Sequence, residues 1–372
     1  MALDLKKAFD TVDHETLIKK LRHYGFKDKS NDWFKNYLSD RKQIACINGN
    51  LSEPLVMKTG VPQGSILGPL LFILYVNDLS VCLKKSVVNM YADDTIFYYA
   101  HRTPDEVSKV LQDDLHNVAQ WLNANKLSLH LGKTNCMLIT TSQKRHSLND
   151  TTLGLSLDGS QIAQTENCKY LGVCIDQDLR FDMQVDAAIA GLKRALGIFS
   201  RAAQFLHAET KILLYNTIIL PHIDYCSTVW GSSPHKKDLV RLQRIQNRAM
   251  RIILQCHHRT HVLDMLKALK WMSIKQRLLY NLYILLWKIV NNRVPDYLSH
   301  IFTPVSHMHN YNTRSSTTGN FFMHRTSQKS LSYLGAKYWN QLPQHIREMR
   351  SLYGFKKCLV HYIFDNIEPL ES

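Results

Sequence analysis

The stretch VVNMYADDTIFYYA, Val87 to Ala100, places two adjacent carboxylates, Asp93 and Asp94, between two runs of β-branched and aromatic residues. Such runs predict two strands joined by a hairpin turn. In one interpretation the acidic pair only shapes the turn, because Asp tolerates turn geometry and bonds its own backbone. In the other, a rigid hairpin tip holds both carboxylates for a divalent cation, which takes hard oxygen ligands. This stretch alone leaves both open.

Composition limits the class of protein. The chain has 372 residues, of which 45% are hydrophobic and 21% charged, so it is globular and long enough for two or more domains. No apolar run reaches membrane-spanning length, and the start MALDLKKAFD is charged too early for a signal peptide. None of the 8 cysteines forms a C-x-x-C pair. We therefore expect reduced thiols in the nucleus or cytoplasm.

The charge is unevenly distributed. Residues 1–175 hold 20 Lys and Arg against 18 Asp and Glu, whereas residues 176–372 hold 26 against 13. The first part is nearly neutral and has acidic features. The second part, with a net charge of +13, is typical of a surface that binds a polyanion.

The first half alternates helix and strand signals, which predicts an α+β layer with helices against a sheet. Asp13 is the predicted N-cap of a helix that ends at Gly25. Asn48 and Gly49 form a predicted hairpin turn between two β-prone runs.

Further polar residues of the first half have predicted local roles. Thr103, Pro104 and Glu106 occupy the cap, first and third positions of a capping box. Asp10 and Asp78 are expected to cap helices or to form hydrogen bonds with residues nearby in the sequence.

From about residue 181 the pattern is helical. KILLYNTIIL predicts a helix that Pro221 closes. In PHKKDLVRLQRIQNRAMRIIL, cations recur at three- and four-residue steps along one face. A solvated basic face is one interpretation, and a surface that tracks phosphates is the one we favour. These cations are Lys237, Arg241, Arg244, Arg248 and Arg251.

A second strand-like run, in ALDLKKAFD, offers Asp4 just before a helix start. If this run lies beside the hairpin of residues 87–100 in one sheet, Asp4 and Asp93 could hold two Mg²⁺ ions between them. Two ions suit in-line phosphoryl transfer, because one activates the attacking oxygen and the other stabilises the leaving oxygen.

The ordered set LDLKKAFDTVDH, TGVPQGSILGPLLF, YADD, NKLSLHLGKT and KYLGV is similar to the palm of reverse transcriptases, in particular those of jockey-type non-LTR retrotransposons. The helical region resembles their thumb, and YNTRSS with LSYLGAKYWNQLP resembles a tail often found after it. The resemblance implies a palm with an antiparallel sheet over 1–175, a basic helical thumb or connection over 176–300, and a helical tail over 301–372. TRSSTTG, residues 313–319, is predicted to be a linker.

The resemblance also implies roles for matching residues. Asp4, Asp93 and Asp94 would hold two Mg²⁺ or Mn²⁺ ions, and Lys133 would lie near the departing pyrophosphate. The remaining matches would contact nucleotide or nucleic acid: Phe9 excluding a 2′-hydroxyl, Gln63 and Gly64 beside the nascent base pair, Tyr91 at the primer end, and Tyr170 and Gly172 on the primer strand. From the residues alone, Phe9 also fits a core aromatic, Lys133 a solvated lysine and Gly172 a strand turn.

The implied activity is RNA-directed DNA polymerisation, in which a primer 3′-hydroxyl attacks the α-phosphate of a deoxynucleotide on an RNA template. The sequence starts three residues before Asp4, so we expect the fingers region that precedes the first palm motif in these enzymes to be missing. We therefore expect a truncated copy. The alternative function is an inactive remnant that binds RNA or DNA through its basic helical half.

Overall fold

The computed structural model of the chain describes residues 1–147, 151–231, 235–307, 319–323 and 330–369. The chain divides into two compact units, Met1–Gly172 and Val173–Ser372. The first is a mixed α+β unit and the second is mostly helical, as the sequence predicted. The assignment of palm, thumb and tail stays a prediction, and the predicted linker lies, apart from Gly319, outside the described residues.

The first unit is built from short strands and amphipathic helices. Its strands are β1 (Ala2–Leu3), β2 (Lys42–Gln43), β3 (Cys46–Ile47), β4 (Asn50–Leu51), β5 (Leu55–Val56), β6 (Val87–Tyr91), β7 (Asp94–Tyr98), β8 (Asn135–Cys136), β9 (Ser156–Leu157), β10 (Ser160–Gln161), β11 (Ala163–Gln164) and β12 (Asn167–Tyr170). Its helices are α1 (His14–His23), α2 (Asp28–Leu38), α3 (Leu67–Val76), α4 (Pro104–Ala124) and α5 (Ser142–Ser147).

The main sheet has the strand order β11-β8-β1-β7-β6. β1 is antiparallel to both of its neighbours, and β6 and β7 form an antiparallel hairpin. The prediction of an antiparallel sheet is wrong at one edge, where β11 runs parallel to β8, with Ala163 opposite Asn135. A parallel pair needs a crossover connection. The chain supplies one, because α5 and the β9–β10 hairpin lie between β8 and β11.

Helices cover one face of this sheet. Leu3 of β1 and Phe97 of β7 are buried in one hydrophobic cluster with Phe72 of α3 and Leu115 of α4. Side chains alternate between the two faces of a strand. Asp94, on the face opposite Phe97, is exposed, so the uncovered face carries the carboxylates.

The predicted turns and caps of the first helix and hairpin are confirmed. The Asp13 side chain accepts the backbone N–H of Thr16 at 2.9 Å and so caps α1. Gly25 follows the helix with a φ of +98°. Asn48 and Gly49 have φ values of +51° and +83°, the left-handed pair that a type I′ turn requires.

The predicted capping box at α4 is wrong. Thr103 is the N-cap and Pro104 the first helical residue, but no side chain caps the helix. The Thr103 hydroxyl instead lies 3.1 Å from Nδ1 of His101. The Thr103 hydroxyl therefore bonds the His101 ring and does not cap the first N–H groups of α4.

The second unit packs helices around separate cores. Its strand is β13 (Val173–Asp176), and its helices are α6 (Asp182–Ala202), α7 (Ala208–Leu214), α8 (Leu220–Asp224), α9 (Ser227–Trp230), α10 (Lys236–Leu254), α11 (Val262–Leu269), α12 (Ile274–Val290), α13 (Asp296–Ser299), α14 (Leu331–Gln341), α15 (Gln344–Arg347) and α16 (Leu352–Asn366). One core surrounds Trp230 and Phe199, and another contains Trp287, Trp339 and Phe355.

Pro221 does not close a helix as predicted. A π-helical turn, Tyr215–Ile219, follows α7 directly and leads into α8, where Pro221 lies in the first turn. Proline is tolerated there because the first N–H groups of a helix need no intrahelical partner.

In the described ranges no helix is both long and apolar enough to cross a membrane. All eight cysteines are free thiols.

Candidate active site and nucleic-acid interface

The tip of the β6–β7 hairpin presents the acidic pair. Tyr91 pairs with Asp94, so Ala92 and Asp93 form a two-residue turn. Ala92 has a φ of +52°, in the left-handed region. A residue with a Cβ in this region costs on the order of 1 kcal/mol. The hairpin accepts this strain where it turns Asp93 and Asp94 outward.

β1 brings the third carboxylate to the same place. In its antiparallel pairing with β7, Leu3 lies opposite Thr95. One residue further in this register, Asp4 lies opposite Asp94. Leu3 and Thr95 are both buried, and side chains alternate along a strand. Asp4 and Asp94 therefore share the uncovered face. The condition of the sequence hypothesis, that the run with Asp4 lies beside the hairpin in one sheet, is met.

The three carboxylates interact electrostatically. Desolvation raises the pKa of Asp94 above its ordinary value, and the negative charges of Asp93 and Asp4 raise it further. Charge repulsion of this kind is relieved by a cation, and carboxylate oxygens are the hard donors that Mg²⁺ takes. The donor chemistry thus fits a divalent ion. Among the described residues, however, no group of three or more His, Cys, Asp and Glu side chains is gathered as a metal site.

Lys133 lies beside the acidic cluster. Its Nζ is 3.8 Å from Oδ2 of Asp4, and the two side chains are 68% and 38% exposed. So exposed a pair contributes little to stability. It does place an exposed cation next to the predicted metal ligands. The role of Lys133 at the pyrophosphate stays a prediction.

Gln63 and Gly64 lie in the loop before α3. The Gln63 side-chain amide donates to Oδ1 of Asp10 at 2.8 Å. The prediction that Asp10 bonds only locally is therefore wrong, because the two motifs meet in space. Gly64 has a φ of +81°, and no heavy atom lies within 4 Å of where its Cβ would be. Close approach occurs instead at Gly60, whose Cβ would lie 2.9 Å from Cα of Asp10.

Phe9 packs against the core from the side of the site. Its ring stacks on Phe72 with centroids 4.5 Å apart, and its carbonyl accepts the backbone N–H of Val61 at 2.8 Å. The side chain remains partly exposed. Phe9 is thus a partly exposed aromatic residue whose ring and backbone are both held by the core. Its contact with a nucleotide sugar stays a prediction.

A polar pocket of about 400 Å³ adjoins Gln63 and Asp10. Arg41 and Lys42 line one side of it, and His14 lines another. The His14 Nε2 lies 2.7 Å from the carbonyl oxygen of Gly60 and so carries the proton that this contact requires. The pocket offers several hydrogen-bond donors next to the predicted nucleotide-binding residues.

The other predicted contacts of the first unit lie at turns and strand ends. Tyr91 is 67% exposed at the end of β6. Tyr170 ends β12 and is half-buried. Leu171 and Gly172 follow with φ values of +45° and +79°, which are the angles of a tight turn. Gly172 is therefore explained by backbone conformation, and primer binding at Tyr170 and Gly172 stays a prediction.

Asp114 supports the hairpin and was missed by the sequence analysis. It is 1% exposed and accepts the backbone N–H groups of Lys84, Lys85 and Ser86 at 2.8, 3.3 and 2.8 Å. Burial raises its pKa, but these hydrogen bonds outweigh burial and lower it. The carboxylate fixes the chain where it enters β6. Its position on the apolar face of α4, between Leu111 and Leu115, is the signal that could have identified it.

Asp78 is also a long-range partner, which corrects the local role predicted for it. Its Oδ1 lies 2.6 Å from Nζ of Lys20, 58 residues earlier. The same ammonium lies 4.8 Å from the ring centroid of Trp121. Burial lowers the pKa of Lys20. This pair joins α1 to the 3₁₀ helix Asn77–Cys82 that follows α3.

In the second unit, α10 exposes the predicted basic face. Lys237, Arg241, Arg244 and Arg248 are exposed, whereas Arg251 is partly buried. Arg241 is neutralised, because its Nη1 lies 2.8 Å from Asp186 and 3.0 Å from Asp238. Among the described residues, the exposed cations of this face that form no salt bridge are thus fewer than the five predicted, and their contact with nucleic acid stays a prediction. They are Lys237, Arg244 and Arg248.

Comparison with known proteins finds similarity over the residues that carry these features. Residues 1–175 match the model of the reverse transcriptase (RNA-dependent DNA polymerase) family. Over 276 residues the chain is 29% identical to a probable RNA-directed DNA polymerase from transposon BS of Drosophila melanogaster. It is 28% identical over 269 residues to the corresponding protein of transposon X-element, and 26% over 261 residues to that of mobile element jockey, both from the same species. Each alignment covers 68% of this chain and 28% of the relative.

Proposed function

We propose that this chain, whose residues 1–175 are a reverse transcriptase domain related to those of jockey-type non-LTR retrotransposons, acts in RNA-directed DNA synthesis. The observation that carries the proposal is the register of β1 on β7, with Leu3 opposite Thr95. Continued by one residue, this register brings Asp4 opposite Asp94 at the hairpin tip. The relatives are described as RNA-directed DNA polymerases, and the chain spans 28% of their length. The activity of the whole protein is therefore part of the proposal.

In this proposal the first unit is the palm. Its open sheet face receives the primer end, with Tyr91 beside it, and the pocket between Gln63 and Arg41 receives phosphate or base edges. The helical second unit supplies the thumb and tail, and its exposed cations contact the nucleic-acid backbone. Lys237, Arg244 and Arg248 suit that contact because phosphates bind cations that are not already paired.

Asp4, Asp93 and Asp94 would hold two Mg²⁺ or Mn²⁺ ions. When bound, such ions lower the pKa of an attacking hydroxyl and offset negative charge on phosphate oxygens. The protein's own contribution is to hold the three carboxylates together where β1 ends beside the tip of the β6–β7 hairpin. Lys133, 3.8 Å from Asp4, adds a positive charge where pyrophosphate would leave. Phe9 would exclude a 2′-hydroxyl by steric clash, since Phe72 fixes its ring from behind.

Primer extension tests the proposal. The chain would be given a primed RNA template, one deoxynucleotide and Mg²⁺ or Mn²⁺. We expect template-directed addition to the primer, and addition of ribonucleotides only after Phe9→Val. A matched Phe26→Val variant, at another partly buried aromatic of the same core, should keep the preference for deoxynucleotides. No extension under any metal condition would contradict the proposal.

A second function is favoured by the exposed cations of α10. In this alternative the chain binds RNA or DNA without synthesising DNA, and the sheet has a structural role but no catalytic one. The extension assay separates the two when it is paired with an RNA-binding measurement. Binding that weakens with salt, without extension, would support the alternative.

A further inference from the structure

The edge of β1 that faces away from β7 is paired irregularly. Leu5 forms a bridge with Leu129, and Ala2 pairs with Asn135 of β8. Between these two points the first segment has two residues, Leu3 and Asp4, and the opposing segment has five, 130–134. The extra residues form a turn, in which the N–H groups of Lys133 and Thr134 both donate to the carbonyl oxygen of His130, at 2.9 and 3.0 Å. Such a bulge re-aims the side chains next to it.

Asp4 lies opposite this bulge, and both of its backbone groups are bound there. Its carbonyl oxygen accepts the N–H of His130 at 2.7 Å. Its N–H donates to Oγ1 of Thr134 at 3.3 Å. A side-chain hydroxyl has thus replaced the carbonyl that a regular strand partner would offer. Thr134 is only 1% exposed, so water cannot readily take its place.

The same turn carries Lys133 to the Asp4 carboxylate. Adjacent residues therefore contact the two ends of one aspartate: Thr134 holds its main chain, and the Lys133 ammonium lies 3.8 Å from its Oδ2. Removing the hydroxyl would leave the Asp4 N–H without its acceptor. β1 is only two residues long, so few other hydrogen bonds hold Asp4 at its place opposite Asp94.

We propose that Thr134 is the positioning residue of the site: its hydroxyl bonds the Asp4 N–H and so keeps the Asp4 carboxylate beside Asp94 and Lys133. The effect of Thr134 on metal binding and nucleotide incorporation rests on the function proposed above. The hydrogen bond between Thr134 and the Asp4 N–H does not depend on that function. The chemical requirement is a buried acceptor on a short side chain, which serine also supplies and valine does not.

The test compares Thr134→Val, which keeps the shape and loses the acceptor, with Thr134→Ser, which keeps the acceptor. Thr165→Val is the matched control. Thr165 lies next to β11 in the same unit, and its buried hydroxyl has no hydrogen-bond partner among the described residues, so its loss leaves no donor there unpaired. All variants are made in the full chain, and thermal unfolding checks that each is folded.

The first readout is amide hydrogen exchange at Asp4, followed by NMR with aspartate-selective ¹⁵N labelling. We expect exchange in Thr134→Val to be at least about tenfold faster, and near wild type in Thr134→Ser and Thr165→Val. Equal exchange in Thr134→Val and wild type would overturn the proposal. This readout requires no polymerase activity, so it stands even if the proposed function fails.

The second readout is Mn²⁺ binding by calorimetry without nucleotide, together with the Mn²⁺ concentration for half-maximal incorporation. We expect both constants to weaken by about tenfold in Thr134→Val and to be restored in Thr134→Ser. A purely structural threonine would lower the unfolding temperature without shifting these constants between folded variants. Faster exchange with unchanged metal constants would overturn the positioning role, and so would the absence of Mn²⁺ binding by the wild-type chain.

Discussion

Gln63 donates a hydrogen bond from Nε2 to Oδ1 of Asp10 at 2.8 Å, although 53 residues separate them. Thr59 reinforces the link, because its hydroxyl donates to the Asp10 carbonyl oxygen at 3.1 Å. The motif that contains Asp4 and the motif that contains Gln63 are thus joined directly. The Gln63 amide cannot rotate freely while Asp10 holds it, so its remaining polar atoms keep a fixed direction.

We predict that Asp10→Ala lowers the efficiency of deoxynucleotide incorporation by about tenfold, because a hydrogen bond to a carboxylate contributes about 1.5 kcal/mol. Steady-state kcat/KM for a single nucleotide measures this. The control is Asp32→Ala, which removes an exposed carboxylate from α2. If both variants lose the same activity, or neither loses any, the Gln63–Asp10 bond has no functional role.

The acidic cluster should destabilise the protein when no cation is present. Because Asp93 and Asp4 raise the pKa of Asp94 by repulsion, Asp93→Asn removes an unfavourable interaction. We expect its unfolding midpoint without divalent ions to rise by about 1–3 °C. Added Mg²⁺ should stabilise the wild-type chain more than the variant. Asp113→Asn, at an exposed position of α4, should show neither effect. A lower midpoint in Asp93→Asn would contradict this account.

Asp13 should make stability depend on pH in the acid range. Burial raises its pKa, but hydrogen bonds from Lys126 and Thr16 outweigh burial and lower it to about 2. The pKa in the unfolded chain is about 3.9. The folded state therefore binds fewer protons, so ionised Asp13 stabilises the fold above about pH 4, and this contribution is lost as the pH falls toward 2.

The matching experiment is urea unfolding of wild type and Asp13→Asn at several pH values. We expect the variant to have a free energy of unfolding lower by about 1 kcal/mol at pH 6, and the difference to shrink between pH 4 and pH 2. Asp32→Asn serves as the control for general charge effects. A difference that stays constant down to pH 2 would exclude the titration of Asp13 as its cause.

The cations of α10 should differ in their effect on nucleic-acid binding. Arg241 is paired with Asp186 and Asp238, whereas Arg244 is exposed and has no salt bridge to the part of the chain that the structure describes. Arg244→Gln should reduce the slope of log affinity against log salt by about 0.7–0.9, the value of one phosphate contact. Arg241→Gln should change it by less. Equal slopes in both variants and wild type would show that α10 does not contact the backbone.

The sequence predicted the elements of the site better than their connections. Asp13, Asn48 and Gly49 have local signatures, and each was found in its predicted role. The position of Asp4 followed from matching β1 to the hairpin in one sheet. By contrast, Asp10 and Asp78 were assigned local roles because sequence spacing carries no information on partners more than 50 residues away.

The remaining errors have specific causes. The parallel pairing of β11 depends on the path of the chain between strands, which no periodic pattern records. Thr103 fulfils the capping pattern, but His101 competes for its hydroxyl. Thr134 and Asp114 were missed because each acts through backbone N–H groups of a distant segment. Only Asp114 left a signal in its own segment, a carboxylate on the apolar face of α4, and that signal does not name its partners.

The most direct test of the account is single-turnover incorporation of one deoxynucleotide on a primed RNA template by wild type and Asp4→Asn. Asp4→Asn keeps the size of the side chain and removes its negative charge at the end of β1. We predict a loss of at least about 10³-fold in rate, because a metal-holding carboxylate acts mainly on the transition state, with unchanged affinity for the template and primer. Incorporation by Asp4→Asn at the wild-type rate would contradict the assignment of these carboxylates as the catalytic centre.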